Sequence, residues 1–239
     1  MTASDEMPDR VDVDEVAPRL AVVRARIAAA ARAAGRNADD VRLVAVSKFH
    51  PLEKIAAAHA AGQLDIGESR AQELDAKLAS DPPTGVRWHF VGRLQRNKVT
   101  MVAGRAVLIH SVDRGRLADA IAAHMQAIDG RQDVLIQVNV AGEERKGGCA
   151  PADLPALAER IAGLDGIRAV GLMTIPPLDS DPRAVFDRLR ALRTRLSSDH
   201  PAVRELSMGM SADLEDAVAA GATIVRVGTA IFGARPDSR

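Results

Sequence analysis

The chain has 239 residues, 47% of them hydrophobic, which suits a folded protein with a sizeable core and excludes a mainly disordered one. Lysine plus arginine equals aspartate plus glutamate at 32 each, so no net field draws the chain to nucleic acid or an anionic membrane, and a small ligand is the expected partner. The single cysteine, Cys149, excludes an internal disulfide, MTASDEMPDR is not a signal peptide, and no apolar run nears the roughly 20 residues of a membrane span, all pointing to the cytoplasm.

Residues 1 to 15 carry Asp5, Glu6, Asp9, Asp12, Asp14 and Glu15 against Arg10 alone and read as a mobile acidic tail. Val16, Leu20, Val23 and Ile27 then mark the apolar stripe of a helix that Gly35 can stop. From Leu43 onward, short apolar runs alternate with alanine-rich helical stretches, the signature of βα units and a parallel sheet. The runs lie at 43–47, 64–67, 87–92, 107–112, 134–140, 169–175, 204–208 and 223–228. Helices are predicted at 52–61, 69–79, 94–104, 114–128, 151–163, 181–198 and 212–220, several closed by Gly62, Gly104, Gly130 or Gly221. Eight strands with intervening helices fit a single (β/α)8 TIM barrel over residues 16–239, preceded by an N-terminal helix; a doubly wound sheet more often stops at five or six strands.

In such barrels the chemistry sits where strands end, and a phosphate site is frequently built after strands seven and eight. In LSMGMSADLEDAV a glycine lets backbone approach a ligand, and Ser211 is placed to cap the next helix. Gly228 and Thr229 in IVRVGTAIFGAR repeat the device one strand later, so the pair of loops reads as an anion cradle, whereas either alone reads as an ordinary turn. Arg226 interrupts strand eight with a permanent charge on the face shared with Ile224 and Gly228. It points either to the barrel mouth or to a carboxylate on an outer helix. Lys48 ends strand one in LVAVSKFHP. Alone it reads as a solvated lysine. With a cation and an anion cradle nearby it becomes a nucleophilic amine for a phosphorylated aldehyde, pyridoxal 5′-phosphate (PLP).

At these residues the chain resembles the pyridoxal phosphate homeostasis protein family, which is related by fold to the barrel domain of alanine racemase. The likeness runs through VAVSK, AGQLDIGES, WHFVGRLQRNK, HSVDR, QVNVAGEERKGG, GLMTIPP and LSMGMSADLEDAVAAGATIVRVGTAIFGAR, from residue 43 nearly to the end. It implies a monomeric barrel with PLP in a Schiff base on Lys48, Arg226 facing the pyridine nitrogen, and Ser211, Gly228 and Thr229 around the phosphate. It further implies a role in PLP supply, with PLP-dependent apo-enzymes as candidate recipients and no established turnover. Two departures stand out. Ser69 occupies the place of the family's asparagine and is short enough to reach PLP only through water, and Phe49 follows the lysine where threonine is frequent.

A cation at the pyridine nitrogen keeps the ring unprotonated and so a poor electron sink. Racemisation then needs a second base; the alanine racemase type uses a tyrosine, and this chain has none. It also leaves no room after strand eight for the racemase's additional β-domain. No catalytic residue is therefore assigned, and a weak PLP-dependent amino-acid racemase is the alternative. A barrel enzyme acting on a phosphorylated sugar or heterocycle is a third reading. The six histidines show no metal-binding spacing and are expected to pack or hydrogen-bond inside the barrel, Cys149 carries no mark of reactivity, and Lys146 reads as a solvated loop charge.

Overall fold

The structure is a computed structural model and describes residues 13–143 and 147–234. The acidic tail up to Asp12, and Lys146, lie outside the described residues.

Eight parallel strands close into a barrel in chain order, β1 pairing with β8: β1 (Arg42–Val46), β2 (Asp65–Glu68), β3 (Arg87–Phe90), β4 (Leu108–Val112), β5 (Gln132–Gln137), β6 (Ile167–Met173), β7 (Glu205–Ser207) and β8 (Ile224–Val227). Each overlaps its predicted run, including the short β2 and β7. Around them lie α1 (Val16–Ala33), α2 (Leu52–Ala60), α3 (Ala71–Ala79), α4 (Gly115–Gln126), α5 (Leu154–Ala162), α6 (Pro182–Asp199), α7 (Leu214–Ala219) and the short α8 (Thr229–Phe232).

Side-chain alternation along each strand separates two apolar layers. Leu43 and Ala45 face outward, into the large cluster shared with the helices. Val44 and Val46 face inward, joining Leu108, Leu135, Met173 and Ile224 in a smaller cluster inside the barrel. That inner cluster is the floor on which the polar residues of the mouth stand. A glycine at position 67 is needed here, because a Cβ would approach a Val44 methyl to 2.9 Å. Helix α1 buries its predicted stripe, Val16, Leu20, Val23 and Ile27, beside α7 and α8.

Two local expectations are corrected. The stretch 94–104 forms a 3-10 helix only over Arg96–Met101, because Asn97, Val99 and Thr100 are weak α-helix formers. Gly130 does not supply the left-handed stop after α4; Asp129 does, with φ 51°.

Candidate functional site

Lys48, Ser69, Ser211, Arg226, Gly228 and Thr229 line one cavity of about 340 Å³ at the strands' C-terminal ends. Four loops bring them together: Lys48 follows β1, Ser69 follows β2, Ser211 follows β7, and Gly228 and Thr229 follow β8. Val46, His50, Val91, Ile175 and Met210, with Ala212 and Gly233, complete the wall and were missed by sequence reasoning. A larger cavity of about 650 Å³ touches this one at Ser69, but it is lined by Arg70, Arg93 and Lys98 and contains neither Lys48 nor the two anion loops.

The residues flanking Lys48 are held by a buried ionic cluster. Ser47 Oγ donates to Glu68 Oε1 at 2.6 Å, and Lys77 Nζ donates to Ser47 O and Glu73 Oε1, each at 3.0 Å, while also pairing with Glu68. On the other side of the lysine, the Phe49 N–H donates to Glu73 Oε1 at 2.6 Å. Phe49 takes φ 67°, an unusual conformation for an aromatic residue, and its ring lies beneath the Arg70 guanidinium at 4.6 Å. Glu68 is fully buried with Oε2 unpartnered, and burial raises its carboxyl above the ordinary range despite Lys77.

Arg226 resolves its two readings in favour of the interior. Its guanidinium donates from Nη1 to Ser207 Oγ at 2.7 Å and from Nη2 to Thr174 O at 3.0 Å, both neutral acceptors. Only 5% exposed, it has its pKa lowered by burial to about 10, so it stays a cation at neutral pH. A buried cation on the wall of a cavity, held by neutral groups, favours an electron-rich ligand atom there.

The loops after β7 and β8 bring Ser211, Gly228 and Thr229 to the same cavity. Gly209, at φ 93°, turns its carbonyl to accept the Arg226 N–H at 2.9 Å, joining the loop after β7 to β8. Ser211 does not cap the next helix as expected. α7 starts at Leu214, and Asp213 accepts the Met210 N–H at 2.6 Å, so the carboxylate shapes the turn and Ser211 stays in the loop. The Ser211 carbonyl accepts from Arg26 of α1 at 3.0 Å. Gly228 stands at the start of α8, where a Cβ would meet Val46 O at 3.0 Å, so β1 and this loop close on each other with no space for a side chain.

His50, nearly buried two residues after Lys48, stands 5.5 Å from Phe232; burial, then Lys54 and Lys77, push its pKa down to about 4. His89 and His110 hydrogen-bond inside the barrel as expected. Burial pushes the Cys149 thiol up to about 12. Among the described residues, no three His, Cys, Asp or Glu side chains group as metal ligands, and no helix is long and apolar enough to cross a membrane.

A closed (β/α)8 barrel with a lysine just after β1, an inward arginine on β8 and the loops after β7 and β8 meeting at one cavity defines the class as a barrel with a small-ligand pocket at its C-terminal face. Residues 19–236 match the model of the alanine racemase N-terminal domain. The pyridoxal phosphate homeostasis protein of Pseudomonas aeruginosa is 44% identical over 220 residues, covering 92% of this chain and 96% of that one. The structure of PipY from Synechococcus elongatus with PLP bound superposes with a TM-score of 0.80 at 37% identity, covering 91% of this chain and all of that one. Alanine racemase from Corynebacterium glutamicum has a TM-score of 0.68 at 15% identity, covering 94% of this chain and 62% of that one, and so shares the fold alone. The chain belongs to the pyridoxal phosphate homeostasis protein family.

Proposed function

We propose that this protein binds PLP covalently through Lys48 and serves PLP homeostasis without catalytic turnover. The observation that carries this reading is the convergence of Lys48, Arg226 and both anion loops on one cavity of about 340 Å³. The cavity residues fit the cofactor: an amine for the aldehyde, a cation for the ring nitrogen, and Ser211, Gly228 and Thr229 for the phosphate. Bound PLP supplies an electrophilic carbon and a ring able to accept electrons. Arg226, charged at neutral pH and unable to serve as an acid there, stabilises a ring nitrogen that carries no proton. Ser69 lies on the wall where a water can bridge it to the ligand.

The chain works as a monomeric cytoplasmic carrier, with PLP-dependent apo-enzymes as recipients and no nucleic-acid partner. The racemase reading lacks support in the site: the chain has no tyrosine, and its likeness to racemases is one of fold. Purified protein mixed with PLP should gain a visible absorption band that Lys48→Ala abolishes and that borohydride bleaches while leaving the cofactor irreversibly attached. Protein that stays colourless with PLP overturns the proposal; solvent-deuterium exchange at an amino acid's α-carbon would replace the carrier with a racemase.

A further inference from the structure

Five polar side chains cross the interior of the barrel in one unbroken hydrogen-bonded line. Arg226 Nη1 donates to Ser207 Oγ at 2.7 Å, Ser207 Oγ lies 2.8 Å from His110 Nδ1, His110 Nε2 lies 3.0 Å from His89 Nδ1, and His89 Nε2 lies 2.9 Å from Asp65 Oδ1. Ser207, His110 and His89 are fully buried. Asp65 opens β2 and therefore stands at the pole opposite the cavity, where the exposed Arg87 pairs with both its oxygens.

The hydrogens in this line can be placed by elimination. Burial alone would raise the Asp65 carboxyl, but hydrogen bonds from His89 and Arg87 bring it below its ordinary value, so it is ionised and can only accept. His89 Nε2 therefore carries a hydrogen. Burial keeps both imidazoles neutral, opposed at His89 by Asp65 and reinforced there by Arg42 and Arg87, and reinforced at His110 by His89, Arg226 and Arg42. A neutral imidazole has one hydrogen, so His89 Nδ1 accepts from His110 Nε2. The same step at His110 makes its Nδ1 the acceptor of the Ser207 hydroxyl. Ser207 is left with lone pairs for Arg226, and every bond points from guanidinium to carboxylate.

We infer that Asp65, His89, His110 and Ser207 are positioning residues for Arg226: a one-way relay that fixes its donors at the cavity and conveys charge at the opposite pole to the ligand ring. The statement about the ring rests on the PLP reading; the relay itself is a property of the chain without ligand. Protonating His110 would make its Nδ1 a donor, release the Ser207 hydroxyl from the line and set a second cation beside Arg226. Asp65 guards against this at a distance by holding the tautomers in order.

Histidine side-chain ¹⁵N NMR on the ligand-free protein tests the relay directly. At pH 7, His89 and His110 should both show hydrogen on Nε2 and none on Nδ1. Asp65→Asn should shift the His110 resonances, although the two residues do not touch. Asp133→Asn, which removes one negative charge from an ion pair with Arg168 at the same pole, should leave them unchanged. Ser207→Ala, which severs the last link, should move His110 Nδ1 even if Asp65→Asn does not fold. In PLP-loaded protein, Asp65→Asn should also move the pH midpoint of the absorption band by about half a unit or more, and Asp133→Asn should not. A His110 that is charged or carries hydrogen on Nδ1, or equal effects of Asp65→Asn and Asp133→Asn, overturns the inference. Failure to bind PLP removes the absorbance comparison and sinks the proposed function, while the NMR result still decides the relay.

Discussion

Ser47 Oγ donates to Glu68 Oε1 at 2.6 Å, which ties the residue just before Lys48 to the last residue of β2. Both side chains are fully buried, and Lys77, nearly buried on α3, completes the charge pairing. The position of the lysine backbone thus depends on an ion pair two elements away. Replacing Lys77 by Met should leave Glu68 and Glu73 without their cation and cost about 3–5 kcal/mol, read by urea unfolding. Ser47→Ala removes one hydrogen bond and should cost only about 1 kcal/mol. Equal costs for the two variants would refute this division.

Arg226 presents the opposite balance between stability and binding. Its acceptors, Ser207 Oγ and Thr174 O, carry no charge, so the fold gains little from its cation. Arg226→Met should leave the unfolding free energy of the ligand-free protein, read by urea, within about 1 kcal/mol of wild type, the near-match in volume limiting the loss. PLP affinity should fall roughly 10- to 100-fold, the value of a charge-assisted hydrogen bond. Fluorescence titration of both proteins measures the ratio.

Acid should destabilise the fold before the carboxylates titrate. Burial lowers the pKa of His50 to about 4 and depresses His89 and His110, whereas the unfolded chain takes up these protons near 6.5. A depressed histidine contributes stability that is present above pH 6.5 and lost as pH falls toward its folded value. Each can contribute a slope of up to about 1.4 kcal/mol per pH unit in that window. Urea unfolding between pH 8 and 5 should therefore show falling stability, and His50→Asn should flatten the curve.

Cys149 should be inert in the folded protein. Burial, then Asp153 and Asp113, hold its thiol up to about 12, so the reactive thiolate is scarce at pH 8. Iodoacetamide should label it only after denaturation; labelling of native protein at the unfolded rate would contradict this.

The barrel was legible because strand and helix periods alternate cleanly, and every predicted run found its strand. The six cavity residues were legible because five lie just after β1, β2, β7 and β8, and Arg226 is a charge inside the apolar run of β8. What escaped depends on register across strands. Lys77 sits four residues after Glu73 and looks like a solvent-facing helix pair, yet it is buried because Ser47 and Glu68 meet it across β1 and β2. His89 and His110 could be expected to bond within the barrel, but not to each other, since that contact requires β3 and β4 to be aligned. The cap expected at Ser211 failed for a local reason: Asp213, two residues on, is the stronger acceptor for that turn.

Closure of β1 on β8, with Val44 opposite Arg226, also sets when the site can exist. During synthesis Lys48 emerges among the first fifty residues, whereas the cation and the second anion loop come in the last strand and just beyond it. On the proposed PLP reading, a chain that stops before β8 has Lys48 and Ser211 but lacks Arg226, Gly228 and Thr229. Retention of the cofactor therefore reports that the ring of strands has been completed.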